Sequence, residues 1–200
     1  MKKLICTLML AILSLPMVFA GDLNVTLFVK NSTDKEIRQY IHADPEQINK
    51  QFEPSNETIL ITAVIDDRYD LVTFLLKEGA NPNLTTVAGG SPLSFSAGMG
   101  NYKMVKLLLE FGADPLIKAN GRILPLMASV CELNFACARH KDYFANALKV
   151  IDLLAPRTTI EEDDFLLPER TITSEINAEL KAQKAKLLEI IKTKTLRNSN

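Results

Sequence analysis

A chain of 200 residues with a formal net charge of −1, 47% apolar and 24% charged, has the composition of a folded globular domain. Such a length buries about two-thirds of its unfolded surface, so neither a metal nor a disulfide is needed merely to fold. The balance of 23 basic against 24 acidic residues argues against a dedicated nucleic-acid binder, and two histidines with no tryptophan leave few groups for acid–base chemistry near neutral pH.

The sequence opens Met1-Lys2-Lys3, runs apolar from Leu4 to Phe19, and reaches Ala20-Gly21-Asp22. Two lysines, a short apolar stretch and small residues at Val18 and Ala20 fit a secretory signal peptide cleaved after Ala20. The run is 16 residues long and contains Pro16, whereas spanning a bilayer takes about 20. Residues 1–20 are therefore expected to be removed on export to the periplasm, with no integral membrane segment left behind. Cleavage would leave 21 basic and 24 acidic residues, a net −3, and Cys131 and Cys137 as the two remaining thiols. An oxidising compartment favours a Cys131–Cys137 disulfide. A metal site of Cys131, Cys137 and His140 would lack a fourth ligand and the usual cysteine spacing; free thiols are the third option. A disulfide between these two would require helix to end near Cys131, because residues six apart lie on different helix faces.

In residues 21–52, Leu23, Val25, Leu27 and Val29 alternate, which predicts a short extended segment. Thr33-Asp34-Lys35-Glu36 then forms a capping box before a helix carrying Ile37, Tyr40 and Ile41. Ala43-Asp44-Pro45 resembles a closing turn that returns further along, so this stretch reads as an N-terminal segment plus a capping half unit.

That closing turn is the clearest mark of an internal repeat. Gly79-Ala80-Asn81-Pro82 recurs as Gly112-Ala113-Asp114-Pro115, an offset of 33. The same offset carries Thr58-Ile59-Leu60 onto Ser91-Pro92-Leu93 and then Leu124-Pro125-Leu126, and Leu71–Leu76 onto Met104–Leu109. Each unit reads as two short helices and a turn. In residues 86–118, Pro92 suits a first helical turn, Gly98 and Gly100 break that helix, and Asn101 caps the next. Met104, Val105, Leu107, Leu108 and Leu109 form its apolar face, and Gly112 closes it as a left-handed cap. Helices this short do not persist alone and must stack on their neighbours.

These residues resemble the ankyrin-repeat family, whose 33-residue unit begins T-P-L-H-x-A and closes on G-A-D. The resemblance is strongest over Glu53–Asp114 and runs, with damage, to Leu154. The motif histidine is replaced by Ile61, Ser94 and Met127, and its proline by Ile59 in the first full unit. It implies an all-α solenoid of helix-turn-helix units with short turn or hairpin fingers, about three to four repeats plus caps. On this reading residues 53–85 and 86–118 are full repeats, and 119–157 is a degenerate one. Val105 corresponds to Val150, 45 residues on, so about 12 residues are inserted there. Residues 158–200 supply C-terminal capping helices: a short one opened by Thr159-Ile160-Glu161-Glu162 and stopped by Pro168, and a longer one over 174–192. The longer helix places Ile176, Leu180, Leu187 and Ile191 on one stripe, with lysines 181, 184, 186 and 192 covering most of the rest.

No catalytic constellation stands out. His42 ends the capping helix beside Asp44, and His140 sits in Arg139-His140-Lys141. Ser94-Phe95-Ser96 lacks the glycine pattern of a nucleophile elbow, and Glu161–Asp164 lacks the alternating ligands of a calcium loop. Gly89-Gly90 reads as a repeat turn and not a phosphate loop. The expectation is a non-enzymatic chain with no cofactor, no metal and no nucleic-acid partner, monomeric when free. In the family, partners contact turn tips and the exposed side of the first helices, the concave face. Carried over by position, that implies Glu57, Ile65, Asp66, Thr85, Val87, Ala88, Gly90, Met99, Lys118, Asn120 and Arg122. The resemblance to exported ankyrin proteins implies an inhibitor or immunity partner of an envelope-targeting enzyme, a peptidoglycan or lipid hydrolase. Two other readings stay open: an accessory protein for catalase-linked oxidative-stress defence, and an effector secreted into a host.

Overall fold

The computed structural model describes residues 24–121, 123–131, 143–158 and 178–196. The expected signal peptide, Arg122, Cys137, His140 and the acidic run at 161–164 lie outside the described residues. The chain folds as two compact units, residues 1–87 and 88–200.

The first unit begins with α1 (Val25–Asn31), where an extended segment was expected. The alternation misleads because it also contains the i, i+4 pair Val25 and Val29, and both are buried while Leu27 between them is 58% exposed. Asn24 settles the matter by capping the helix: its side-chain oxygen accepts the Leu27 N–H at 3.0 Å. Residues 24–43 thus hold a helix pair, where a half unit was expected.

The second helix of that pair, α2 (Asp34–Ala43), starts from the predicted capping box, with Thr33 and Glu36 each bonding the other's backbone N–H. It buries Ile37 and Ile41, and a 3-10 turn over Pro45–Asn49 follows. Tyr40, half-buried, lies 4.9 Å from the Phe28 ring, and its hydroxyl donates to Gln47 at 3.0 Å. Burial, and then the negative charge of Asp44, push its phenol up to about 12. Because the folded value lies above the ordinary one of about 10, this contribution to stability is complete below about pH 10 and is lost as pH rises through about 12. An alkaline titration followed by phenolate absorbance is expected to show a step near 12 that Tyr40→Phe removes.

The next pair is α3 (Ile59–Ile65) and α4 (Tyr69–Lys77). Thr58 caps α3 by accepting the Ile61 N–H at 3.1 Å. The α3 helix buries residues on every side, Ile59 through Val64, which marks it as the inner helix. By contrast α4 is amphipathic, burying Leu71, Val72, Leu75 and Leu76. It ends in a Schellman close, Ala80 N–H to Leu75 O and Gly79 N–H to Leu76 O, with Gly79 at φ +95°. First helix packs on first helix, α1 against α3, and second on second, α2 against α4.

The second unit repeats this plan. It contains α5 (Pro92–Gly98), α6 (Tyr102–Glu110), α7 (Pro125–Cys131), α8 (Tyr143–Leu154), a 3-10 turn at Ala155–Arg157, and α9 (Ala178–Leu196). Ser91 and Ser94 form a capping box for α5 with Pro92 in its first turn. Asn101 caps α6, and Gly112 at φ +82° closes it through Ala113 N–H to Leu108 O. Again α5 packs on α7 and α6 on α8. The α8 helix starts at Tyr143, one turn before the expected Ala147. The closing helix α9 runs to Leu196, beyond the expected end at Lys192, because Ile191 and Thr195 are both buried and Lys194 pairs with Asp152. Among the described residues the regular elements are helical, with two isolated antiparallel bridges and no strand. The all-α expectation holds.

Candidate protein-interaction site

The two bridges are the feet of the fingers that join successive helix pairs. In the first unit Phe52 pairs with Glu57 across a turn in which Asn56 takes φ +55°; in the second Ala119 pairs with Ile123 across Asn120 and Gly121, at φ +51° and +67°. Fingers are then laced by backbone. Val87 N–H donates to Ser55 O at 2.9 Å, and Asn120 N–H donates to Ala88 O at 2.7 Å. Pro54 holds in the first of these fingers the repeat position that Val87 holds in the next, and it has no N–H to offer. Gly89 is required twice over. It sits at φ +73°, and a Cβ there would lie 3.1 Å from Lys118 O and 3.2 Å from Asn120 N.

The first unit carries five of the predicted contact residues. Val87 is 69% exposed at its finger tip, and Ile65, ending α3, is 37% exposed. Asp66 is half-buried and closes α3 through its N–H to Thr62 O. Thr85 is half-buried, its carbonyl accepting from the Gln51 side chain at 2.8 Å. Glu57 departs from the expectation. Its carboxylate accepts from the Thr26 hydroxyl at 2.7 Å and the Thr62 hydroxyl at 3.4 Å, an internal brace joining α1 to α3.

In the second unit Ala88 and Asn120 are exposed, Met99 is 38% exposed at the end of α5, and Lys118 is half-buried. Gly90 is buried, which removes it as a contact residue, and Arg122 lies outside the described residues. The sequence reading passed over four other exposed apolar side chains: Leu27, Tyr69, Phe111 and Leu116. Position within a repeat is the signal that would have found Tyr69, which opens the second helix α4 and is exposed.

Helix pairs recurring at a fixed offset and laced by short fingers match an independent finding. Residues 25–119 match the family model described as Ankyrin repeats (3 copies). They belong to the ankyrin-repeat family. Among similar proteins is human "Ankyrin repeat and MYND domain-containing protein 1", 40% identical over 85 residues, which is 42% of this chain and 9% of that protein. Human "2-5A-dependent ribonuclease" is 40% identical over 74 residues, 36% of this chain and 10% of the relative. The "Putative ankyrin repeat protein L92" of Acanthamoeba polyphaga mimivirus is 25% identical over 133 residues, 57% of this chain and 32% of the relative. The chain spans a tenth or less of the length of the first two.

Ankyrin repeats are protein-interaction modules and in general are not enzymes. The two serines of Ser94-Phe95-Ser96 serve the repeat. Ser94 and Ser96 are buried and bonded within α5, Ser96 Oγ to Leu93 O at 3.0 Å. His42 is exposed and lies edge-on to Phe74 at 5.5 Å, with the Arg38 guanidinium 4.3 Å above the same ring. Among the described residues no three His, Cys, Asp or Glu side chains gather as a metal site, and no helix is long and apolar enough to cross a membrane.

Proposed function

We propose that this chain is an exported, non-enzymatic binding module that blocks an envelope-acting hydrolase, of peptidoglycan or of lipid, by covering the mouth of its active site. The observation that carries this reading is Val87. Its side chain is 69% exposed while its backbone N–H is fixed to Ser55, an apolar anchor that loses little further freedom on binding. Met99 on the second unit offers a similar apolar end beside polar residues. Export is supported by the Met1–Ala20 pattern and sets the compartment in which a partner would be met.

The test is affinity capture with residues 21–200 from native envelope extract, followed by assay of the purified captured enzyme. The expected result is one hydrolase retained and inhibited at one-to-one stoichiometry. Val87→Arg is expected to weaken that binding by about a hundredfold, near 2.7 kcal/mol, and Met99→Glu by about tenfold. Retention of a catalase, or of no partner, overturns the inhibitor reading and leaves the repeat assignment intact.

A further inference from the structure

We propose that Asn120 is a site of spontaneous deamidation, converting to aspartate and isoaspartate through a cyclic imide with Gly121. The Gly121 backbone nitrogen attacks the Asn120 side-chain carbon; a C–N bond forms, the bond from that carbon to Nδ2 breaks, and Nδ2 leaves as ammonia with the proton from Gly121. Water then opens the imide at either carbonyl. One route gives aspartate; the other gives isoaspartate, with an extra methylene in the main chain. Nothing is oxidised or reduced. The chain gains one negative charge and about 1 Da.

Four observations place the reaction here. Asn120 is the sole asparagine in the sequence followed by glycine, so no Cβ or larger side chain hinders the attacking nitrogen. Both residues are exposed, and a Cβ built on Gly121 would meet nothing within 4 Å, so no neighbour crowds the ring as it forms. By contrast, four other asparagine amides are occupied: Asn24, Asn49, Asn81 and Asn101 each accept a backbone N–H through Oδ1. Among the described residues no hydrogen bond holds the Asn120 side-chain amide. Finally, the bond from Asn120 N–H to Ala88 O fixes the residue on its N-terminal side. Ring closure turns ψ of Asn120 and the Gly121 peptide within the turn closed by the Ala119–Ile123 pair, which has to give as the ring forms.

The consequence is a slow change of charge and backbone length at one finger tip, beside Lys118. This inference does not rest on the proposed partner. Incubating the folded full chain in mildly alkaline buffer, then mapping peptides by mass spectrometry, tests it directly. The expected result is a mass gain confined to the peptide carrying Asn120, resolved into two isomers, appearing about tenfold faster than at any other asparagine. Asn120→Gln, which would form a larger ring, is expected to abolish the fast change. A folded chain that stays unmodified at Asn120 while the urea-unfolded chain reacts there would overturn the proposal, as would faster conversion at a different asparagine.

Discussion

Leu75→Ala and Leu108→Ala are each expected to lower unfolding free energy by about 3 kcal/mol in urea titration, among the largest single-residue losses available to this chain. The two leucines occupy the same position of successive repeats, and each is 0% exposed. Their backbone carbonyls accept the closing bonds from Ala80 and Ala113, and those bonds survive truncation because alanine is itself a good helix former. The loss is therefore transfer of the removed methyl and methylene groups plus the cavity they leave. Leu116→Ala, at an exposed site, is the control and is expected within about 0.5 kcal/mol of the parent. A loss below about 1 kcal/mol at either buried leucine would contradict the packing described for its unit.

Arg68→Ala is expected to cost about 1–2 kcal/mol, a loss discounted because Arg68 is 18% and Asp34 41% exposed. One guanidinium does three things. Its Nη1 donates to Val29 O at 2.6 Å at the end of α1, its Nε donates to Asp34 in the first turn of α2 at 2.9 Å, and its Nη2 completes an ion pair with that carboxylate. Removing it strands both acceptors. The matching position in the next repeat is Asn101, which instead caps its own helix. Arg68 makes no such cap for α4. Arg68→Asn is therefore expected to recover about 1 kcal/mol by supplying the cap, yet to remain below the parent because α1 loses its tie. Arg68→Lys is expected not to restore the parent, since an ammonium lacks the planar fork that reaches carbonyl and carboxylate together. A double-mutant cycle with Asp34→Ala separates the ion pair from the carbonyl bond; absence of coupling would remove the ion pair from the account.

The repeats were legible where their chemistry is local. Pro92, Asn101 and Gly112 act within one turn of chain, by fixed φ, side-chain capping and positive φ, and each does what its residue type dictates. The N-terminal helix α1, and its pairing with the predicted helix α2 as a repeat, escaped because the spacing drifts. Asn24 stands one position further before Thr58 than the repeat offset, and Thr33 two positions further before Arg68, so a search at the fixed offset passes over both. Of the candidate contacts, Val87, Met99 and Ile65 are exposed, at positions that the family resemblance placed on turns and helix ends. Gly90 is buried, and Glu57, half-buried, is engaged by the Thr26 and Thr62 hydroxyls. A glutamate before a helix cap looks like surface, and the shorter of its two hydroxyl bonds comes from Thr26, 31 residues away in sequence.

By itself, then, the sequence determined the period, the helix class, the Asn101 cap and the closing turns of residues 53–118. All of these arise from backbone preferences that a residue and its near neighbours set. The tertiary structure decided that residues 25–31 form a helix, since Val25 and Val29 find a buried surface against α3 that, together with the Asn24 cap, outweighs an extended alternation. It likewise decided that Arg68 serves α1 and α2 while leaving α4 uncapped, and that α9 continues to Leu196 to bury Ile191 and Thr195. Each of those outcomes depends on a partner far along the chain, and the free energy of burying a side chain or pairing a charge exists only once that partner is in place.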